Sequence, residues 1–290
     1  MSNFINKNIN NQIVVKTVKI YFRKDNARAQ KWEKQVAAWL RENHPKVKIV
    51  SEKPEALIVL GGDGTILEAV HAYEKDNPII LGLNLGHVGF LAAVREEKDF
   101  LTGLDNFFRG NYELTERMRV RAVVVRNGKT VAETSALNEI VAKHLFGVVN
   151  LEVNINDHPF QFVHGDGVMV STSTGSTAYN LSAHGPIVMP NIKCLILKEL
   201  LDHDIPTPSV VIKHDHKISI KIDSFREQGK FTLAGSSEKA DVVLIADGQS
   251  FVTLRPGDLI TITKDDKLIP FVELEANYFL KSLQEKFAFK

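Results

Sequence analysis

Ala56-Leu57-Ile58-Val59-Leu60-Gly61-Gly62-Asp63-Gly64-Thr65-Ile66-Leu67-Glu68-Ala69-Val70-His71-Ala72-Tyr73 is the stretch that decides the fold class. Its first five residues are continuously apolar, as a strand covered on both faces of a parallel sheet requires. Residues 66–73 then take helical spacing. A strand, a glycine loop and a helix in that order form the front of a βαβ unit, and the flanking sequence supplies more of the same. Upstream, Val18-Lys19-Ile20-Tyr21-Phe22 reads as a strand. The segment from Ala27 to Glu42 sets Ala29, Trp32, Val36, Ala37 and Leu40 on one helical face, and residues 47–50 read as a short second strand. Downstream, residues 79–83 supply another buried strand and 96–108 a helix. The expectation is an N-terminal doubly wound, Rossmann-like α/β domain over residues 1–112.

The period changes near Glu113. Thr115 to Val125 begins to alternate, and Asn127-Gly128 is a hairpin signal. Short β-prone runs follow at 151–155, 160–163, 168–171, 209–212, 217–222, 230–233, 242–245, 251–254 and 259–263. Turn signals at Asn156-Asp157, Pro256-Gly257 and Asp265-Asp266 separate them, which predicts a β-rich, sandwich-like domain over residues 113–271. The last segment carries Tyr278, Phe279, Leu280, Leu283 and Phe287 at amphipathic spacing. A helix within 272–290 is therefore expected to pack back on the first domain.

Composition narrows the function classes. Among 290 residues, 36 are Lys or Arg and 35 are Asp or Glu. A binder of nucleic acid that works by neutralising phosphates needs a basic excess, so no nucleic-acid partner is expected. No stretch approaches a membrane span, and the polar run Met1–Gln12 lacks the apolar core of a signal peptide and reads as a frayed tail. The single cysteine, Cys194, lies in an apolar run, which excludes an intramolecular disulfide and reads as a buried hydrophobe. These features together predict a cytoplasmic protein. His214-Asp215-His216 reads as a solvated hairpin end, and no transition metal is assigned.

The chemistry is expected in two loops. Three glycines within Gly61-Gly62-Asp63-Gly64-Thr65 let the backbone approach an anion, and the amides of the following helix N-terminus favour phosphate. An acid in the middle of such a loop suits either Mg²⁺ held against that phosphate or removal of a proton from an attacking hydroxyl. The plain alternative is a tight turn whose Asp caps the helix. The loop is neither a Walker loop nor the dinucleotide fingerprint, which would need glycine where Leu67 stands. The second loop follows Gly165-Asp166-Gly167: from Ser171 to Thr177 every residue is Ser or Thr except Gly175, and Tyr179 follows. Hydroxyls in that density suit ribose, phosphate and amide groups, and the flat tyrosine suits a purine.

The pentad Gly61–Thr65, the pair Asn138-Glu139, the block Asp166–Tyr179 and the late Asp247-Gly248-Gln249 occur in the order that resembles the signature of NAD kinases. The pentad alone is also similar to loops of diacylglycerol-type lipid kinases and 6-phosphofructokinases. That resemblance implies Mg-dependent transfer of a phosphoryl group from ATP to the adenosine-ribose 2′-hydroxyl of NAD, giving NADP, in a homodimer or homotetramer. It implies that Asp63 is the catalytic acid-base group, that Gly61, Gly62, Gly64 and Thr65 shape the phosphate approach, and that Phe90 lines the adenine side. Asn138 and Glu139 would hold the other ribose and the diphosphate region, and Asp166 the nicotinamide carboxamide. Thr174, Ser176, Thr177, Ala178, Tyr179 and Ser182, with His164, Asp247 and Gln249, would complete the nucleotide site. Metal would enter with ATP, with Asp63 its one candidate protein ligand.

The sequence departs from the family's pattern where Ser173 replaces a proline, where His164 replaces an arginine, and across residues 198–211, with His203 and Pro206 as approximate stand-ins. The histidine is expected to make substrate affinity pH-sensitive. Two other functions stay open on the sequence alone: a lipid or sugar kinase built on the same pentad, and a dinucleotide sensor that binds NAD(P) without turnover.

Overall fold

Ala, Leu, Ile and Val without polar interruption make 56–60 a strand that only a sheet interior accepts, and the computed structural model buries all five residues there. It describes residues 15–87, 89–203, 207–229, 231–233 and 239–288. The run Met1–Gln12 and Pro206 lie outside them. The chain forms two compact units, one of residues up to 115 with those from 270, the other of residues 116–269.

The first unit opens with β1 (Thr17–Phe22), α1 (Ala27–Asn43), β2 (Lys48–Ile49), β3 (Ala56–Leu60), α2 (Asp63–Ala72), β4 (Ile79–Leu83) and α3 (Phe100–Phe108). Asn26 starts α1 by accepting a hydrogen bond from the Ala29 amide on its side chain. The strands pair in parallel in the order β2-β1-β3-β4. Val18, Ile20, Ile58, Leu81, Leu40, Phe100 and Leu104 form the core beneath the helices. Because strand order reverses direction at β1/β3, the crevice beyond the carboxyl ends of these strands is where an open α/β sheet receives ligands. The Gly61 loop leaves from that end of β3.

The second unit is mostly β: β5 (Glu113–Arg126), β6 (Lys129–Ala136), β7 (Glu139–His144), β8 (Val149–Ile155), β9 (His158–Thr172), the one-turn helix α4 (Tyr179–Ser182), β10 (Cys194–Asp202), β11 (Val210–Lys213), β12 (Ile218–Phe225), β13 (Val242–Ala246), β14 (Ser250–Leu254) and β15 (Leu259–Glu273). Strands pair antiparallel in the order β14-β13-β7-β9-β8-β12-β15, with β10 on β9 and β11 on β10. The last residues of β15 belong to the first unit, where Phe271 pairs parallel to Ile80 of β4, and α5 (Tyr278–Phe287) follows. No helix among the described residues is long and apolar enough to cross a membrane.

Several elements differ from the sequence reading for identifiable reasons. The runs 160–163 and 168–171 are one strand, because Gly165 and Gly167 do not break it. A Cβ at Gly165 would sit 2.6 Å from Leu201 O, and one at Gly167 2.2 Å from Ala142 O, so these glycines admit the neighbouring strands. Asp265-Asp266 is no turn: β15 runs through it, with the Asp265 carboxylate accepting from buried Arg119 and from the Lys267 amide. The strand Cys194–Asp202 was not read from the sequence, because Lys198, Glu199 and Asp202 break its apolar pattern. Glu199 is buried and accepts from Gln161. Of the expected strand 230–233, Lys230 lies outside the described residues, and the rest makes a single bridge, Thr232 to Lys239.

Candidate active site

The loop after β3 is shorter than its glycines suggest, since α2 already starts at Asp63 with Gly62 as its N-cap. Asp63 thus occupies the first helical position, where the helix dipole favours an acid and the amides of the first turn have no partner within the helix. Thr65 is buried beneath the loop, and Gly61 must be glycine because its Cβ would lie 2.5 Å from the Thr65 side chain. Gly64 faces open space.

A second loop, leaving β4, comes to meet this one. Asn84 is buried and folds that loop on itself, accepting from the Gly86 amide at 3.0 Å and donating to the carbonyls of Gly86 and His87. The same loop clamps the acid: Asp63 Oδ2 accepts from the Phe90 amide at 2.9 Å and Oδ1 from the Leu91 amide at 3.2 Å. Gly89 makes the clamp possible, as a Cβ there would stand 2.2 Å from Asp63 Oδ1. A carboxylate has about four lone-pair sites. Two amides orient Asp63 and leave acceptor capacity on a half-buried, reachable group.

Phe90 itself is buried, its ring 5.4 Å from that of Phe279, with the Lys286 ammonium 5.0 Å above it. Both partners belong to α5. Arg95 ties that helix down by donating to Tyr278 O and Ser282 Oγ and pairing with Glu285. Burial, chiefly, pushes the Tyr278 phenol up, with the Arg95 cation opposing and Asp63 adding to it.

The second group of candidates is organised around Asp247. Its Oδ1 accepts from the amides of Asn138 and Glu139 and its Oδ2 from that of Leu137, so this one carboxylate holds the start of β7. Gln249 closes the β13–β14 turn through its amide to Ala246 O. The hydroxyl-rich run supports the same segment from behind. Ser171 Oγ donates to Asn138 O, Thr172 Oγ1 donates to Leu137 O at 2.6 Å, and a Cβ at Gly175 would meet Asn138 O at 2.3 Å. Ser176 is buried, and its hydroxyl both donates to Val188 O and accepts from the Val188 amide. Asn180, fully buried, donates to Ser176 O and Pro186 O. Much of the run is therefore interior framework. The faces left accessible are those of Asp166, Thr177, Ala178, Tyr179 and Ser182.

Electrostatics separates the carboxylates. Burial first, and the Asp247 charge second, push Glu139 up to about 8, so it is a neutral acid at pH 7. Its Oε2 is buried without a hydrogen-bond partner, and Thr174 Oγ1 shares that condition. Tyr179 is raised by burial, then by Asp166 and Glu139, which places these three groups within one electrostatic neighbourhood. His164 has its Nδ1 2.6 Å from Asn150 Oδ1, and its ring meets His203 edge-on at 5.9 Å. No group of three metal-ligating side chains occurs among the described residues.

Sequence reading missed Asn84, Gly89 and Asn180. Asn84-Leu85-Gly86 directly after an apolar strand carried the signal for the first, by analogy with the Gly61 loop one strand earlier. Nothing local marks Asn180 as buried.

Residues 5–112 match the family model described as the ATP-NAD kinase N-terminal domain, and residues 137–274 match the ATP-NAD kinase C-terminal domain. An NAD kinase of Natranaerobius thermophilus is 35% identical over 240 residues, spanning 82% of this chain and 79% of that protein. One of Symbiobacterium thermophilum is 36% identical over 234 residues, spanning 80% and 78%. In fold, the chain is similar to yeast NADH kinase complexed with NADH, with a TM-score of 0.84 at 21% identity over 96% of this chain and 89% of that one. An NAD kinase from Archaeoglobus fulgidus in complex with ATP superposes with a TM-score of 0.72 at 23% identity, over 94% and 98%.

Proposed function

The chain belongs to the ATP-NAD kinase family, and from that membership we infer how its own residues divide the conversion of ATP and NAD to ADP and NADP. Asp63 is the base. The observation that carries this reading is its carboxylate at the first helical position beyond β3, clamped by the Phe90 and Leu91 amides against Gly89 and still able to accept. A clamped acceptor takes a proton from one hydroxyl in one direction, as activation of the adenosine-ribose 2′-oxygen requires. The glycines beside it let phosphate oxygens approach the opening amides of α2.

Phosphoryl transfer is mostly positioning and charge neutralisation. Mg²⁺ is commonly held by one or two carboxylates together with substrate phosphates, and one reachable carboxylate at a glycine loop fits that mode. Asp63 is the residue that would hold it, and the ion would neutralise charge developing between the β- and γ-phosphates. Gly61, Gly62, Gly64 and Thr65 shape the phosphate approach, and Phe90 stiffens the clamp from behind. Asn138, Glu139, Asp166, Thr177, Ala178, Tyr179 and Ser182 take the dinucleotide. Thr174, whose buried hydroxyl has no partner among the described residues, joins them; Ser176, Asp247 and Gln249 fix their backbone, and His164 acts at the margin of that surface. Neutral Glu139 donates a hydrogen bond. The working form is a cytoplasmic homodimer or homotetramer with no nucleic-acid or membrane partner.

Incubating the protein with ATP and Mg²⁺ against NAD, diacylglycerol or fructose 6-phosphate, with product identification, tests the assignment. NAD alone should yield a phosphorylated product carrying its phosphate on the adenosine 2′-oxygen. Turnover of either other acceptor at a comparable rate would contradict it, as would tight NAD binding without ADP release.

A further inference from the structure

A cavity of about 750 Å³ opens at the amino ends of β1, β2 and β3. It lies at the other end of the sheet from the Gly61 loop. Strand β3 and its flanks, at about 3.3 Å per residue, put some 15–20 Å between Glu55 on the cavity wall and the glycine loop. That volume is typical of small-molecule sites. Three features define what would fill it.

Its wall is flat and aromatic. The His44 ring stacks on Phe108 at 4.5 Å and 30°, with Trp39 packed behind both. Phe107 continues the surface. Within that wall His44 Nε2 is shielded from solvent and has no hydrogen-bond partner among the described residues. Buried polar atoms are rarely left so, which marks a place for an added partner.

Its rim is cationic. Lys16, Lys46 and Lys48 are exposed there, and their ammonium groups pair with no acid among the described residues. The one rim acid, Glu55, already accepts from the amides of Lys16 and Thr17. The carboxyl ends of α1 and α3 also reach this cavity, and each carries about half a negative charge. Setting these and Glu55 against three ammonium groups leaves an excess of roughly one positive charge. An aromatic floor with one surplus positive charge selects a flat aromatic body bearing a single acidic group, not a polyphosphate.

We propose that this cavity, separate from the kinase site, binds a small aromatic monoanion. Titrating the full-length protein with 8-anilino-1-naphthalenesulfonate tests it. One equivalent should bind with enhanced fluorescence, and saturating ATP or NAD should leave it in place. N-phenyl-1-naphthylamine, the same ring system without the sulfonate, should bind about tenfold more weakly, a difference of about 1.4 kcal/mol. The double variant K46E/K48E should weaken the sulfonate about tenfold or more while keeping NAD kinase turnover within about twofold, which also reports that it folds. Equal affinity for the two dyes, an unchanged Kd in K46E/K48E, several equivalents bound, or displacement by ATP or NAD would each overturn the proposal.

Discussion

Asp63, at the first position of α2, and Asp247, in the turn between β13 and β14, both accept backbone amides on their carboxylates, yet the surroundings give them opposite work. Asp63 takes two amides, from Phe90 and Leu91, and lies against a glycine that leaves it room. Asp247 takes three, from Leu137, Asn138 and Glu139, and so fixes a strand start. One keeps acceptor capacity for a reacting atom, and the other uses its capacity on the chain. A third carboxylate, Glu139, is buried beside the Asp247 charge with no donor for its Oε2, and it holds its proton. The lesson is that the donors around an acid, more than its place in a motif, determine whether it does chemistry, holds a loop, or stays neutral.

The largest expected separation between the two regions comes from Asp63→Asn. It should lower kcat by about 10²–10⁴-fold with the melting temperature nearly unchanged, because a positioned base contributes that much and Asn still accepts one amide. Near-normal turnover in steady-state assays would erase the distinction from Asp247. Gly89→Ala sharpens the comparison, since the added methyl must displace the carboxylate by about 1 Å. Misplacement on that scale costs about 10² in rate. Steady-state kinetics should show the loss in kcat, and NAD binding measured by calorimetry should change little.

Asp247→Ala should act through stability. It strips three amides of their acceptor, and a destabilisation of about 2–3 kcal/mol in urea unfolding, together with a raised KM for NAD, is expected. A fall in kcat with normal stability would give Asp247 the role assigned to Asp63.

The smallest effect at any single pH step is a slope. Glu139 holds its proton up to about pH 8 in the folded chain, whereas the unfolded chain releases it near the ordinary glutamate value. The folded state therefore binds more protons across that window, so this contribution is complete below the ordinary value and is lost as pH rises through about 8. Urea melts at pH 5 to 8 should show stability falling by about 1 kcal/mol per pH unit from this group, and Glu139→Gln should flatten that component. Parallel pH profiles in the two proteins would remove Glu139 from the account.

What the sequence made legible tracks how local its cause was. The strand at 56–60 and the hairpin at Asn127-Gly128 follow from neighbouring residues, and both form. The long strand through Gly165 and Gly167 could not be read that way, because the reason for those glycines lies in Leu201 and Ala142 on other strands. The site divides along the same line. Asp63 and its glycines announce themselves, but the use of Ser171, Thr172 and Ser176 as framework depends on residues 12 to 35 positions away. A hydroxyl count cannot tell a lining from a buttress.

The most direct test of the central claim is the structure of the full-length protein with NAD bound. The account predicts the adenosine-ribose 2′-oxygen within about 2.6–3.2 Å of an Asp63 carboxylate oxygen, the reach a general base needs. Finding that ribose beyond hydrogen-bonding distance of Asp63, with another side chain at the 2′-oxygen, would contradict it.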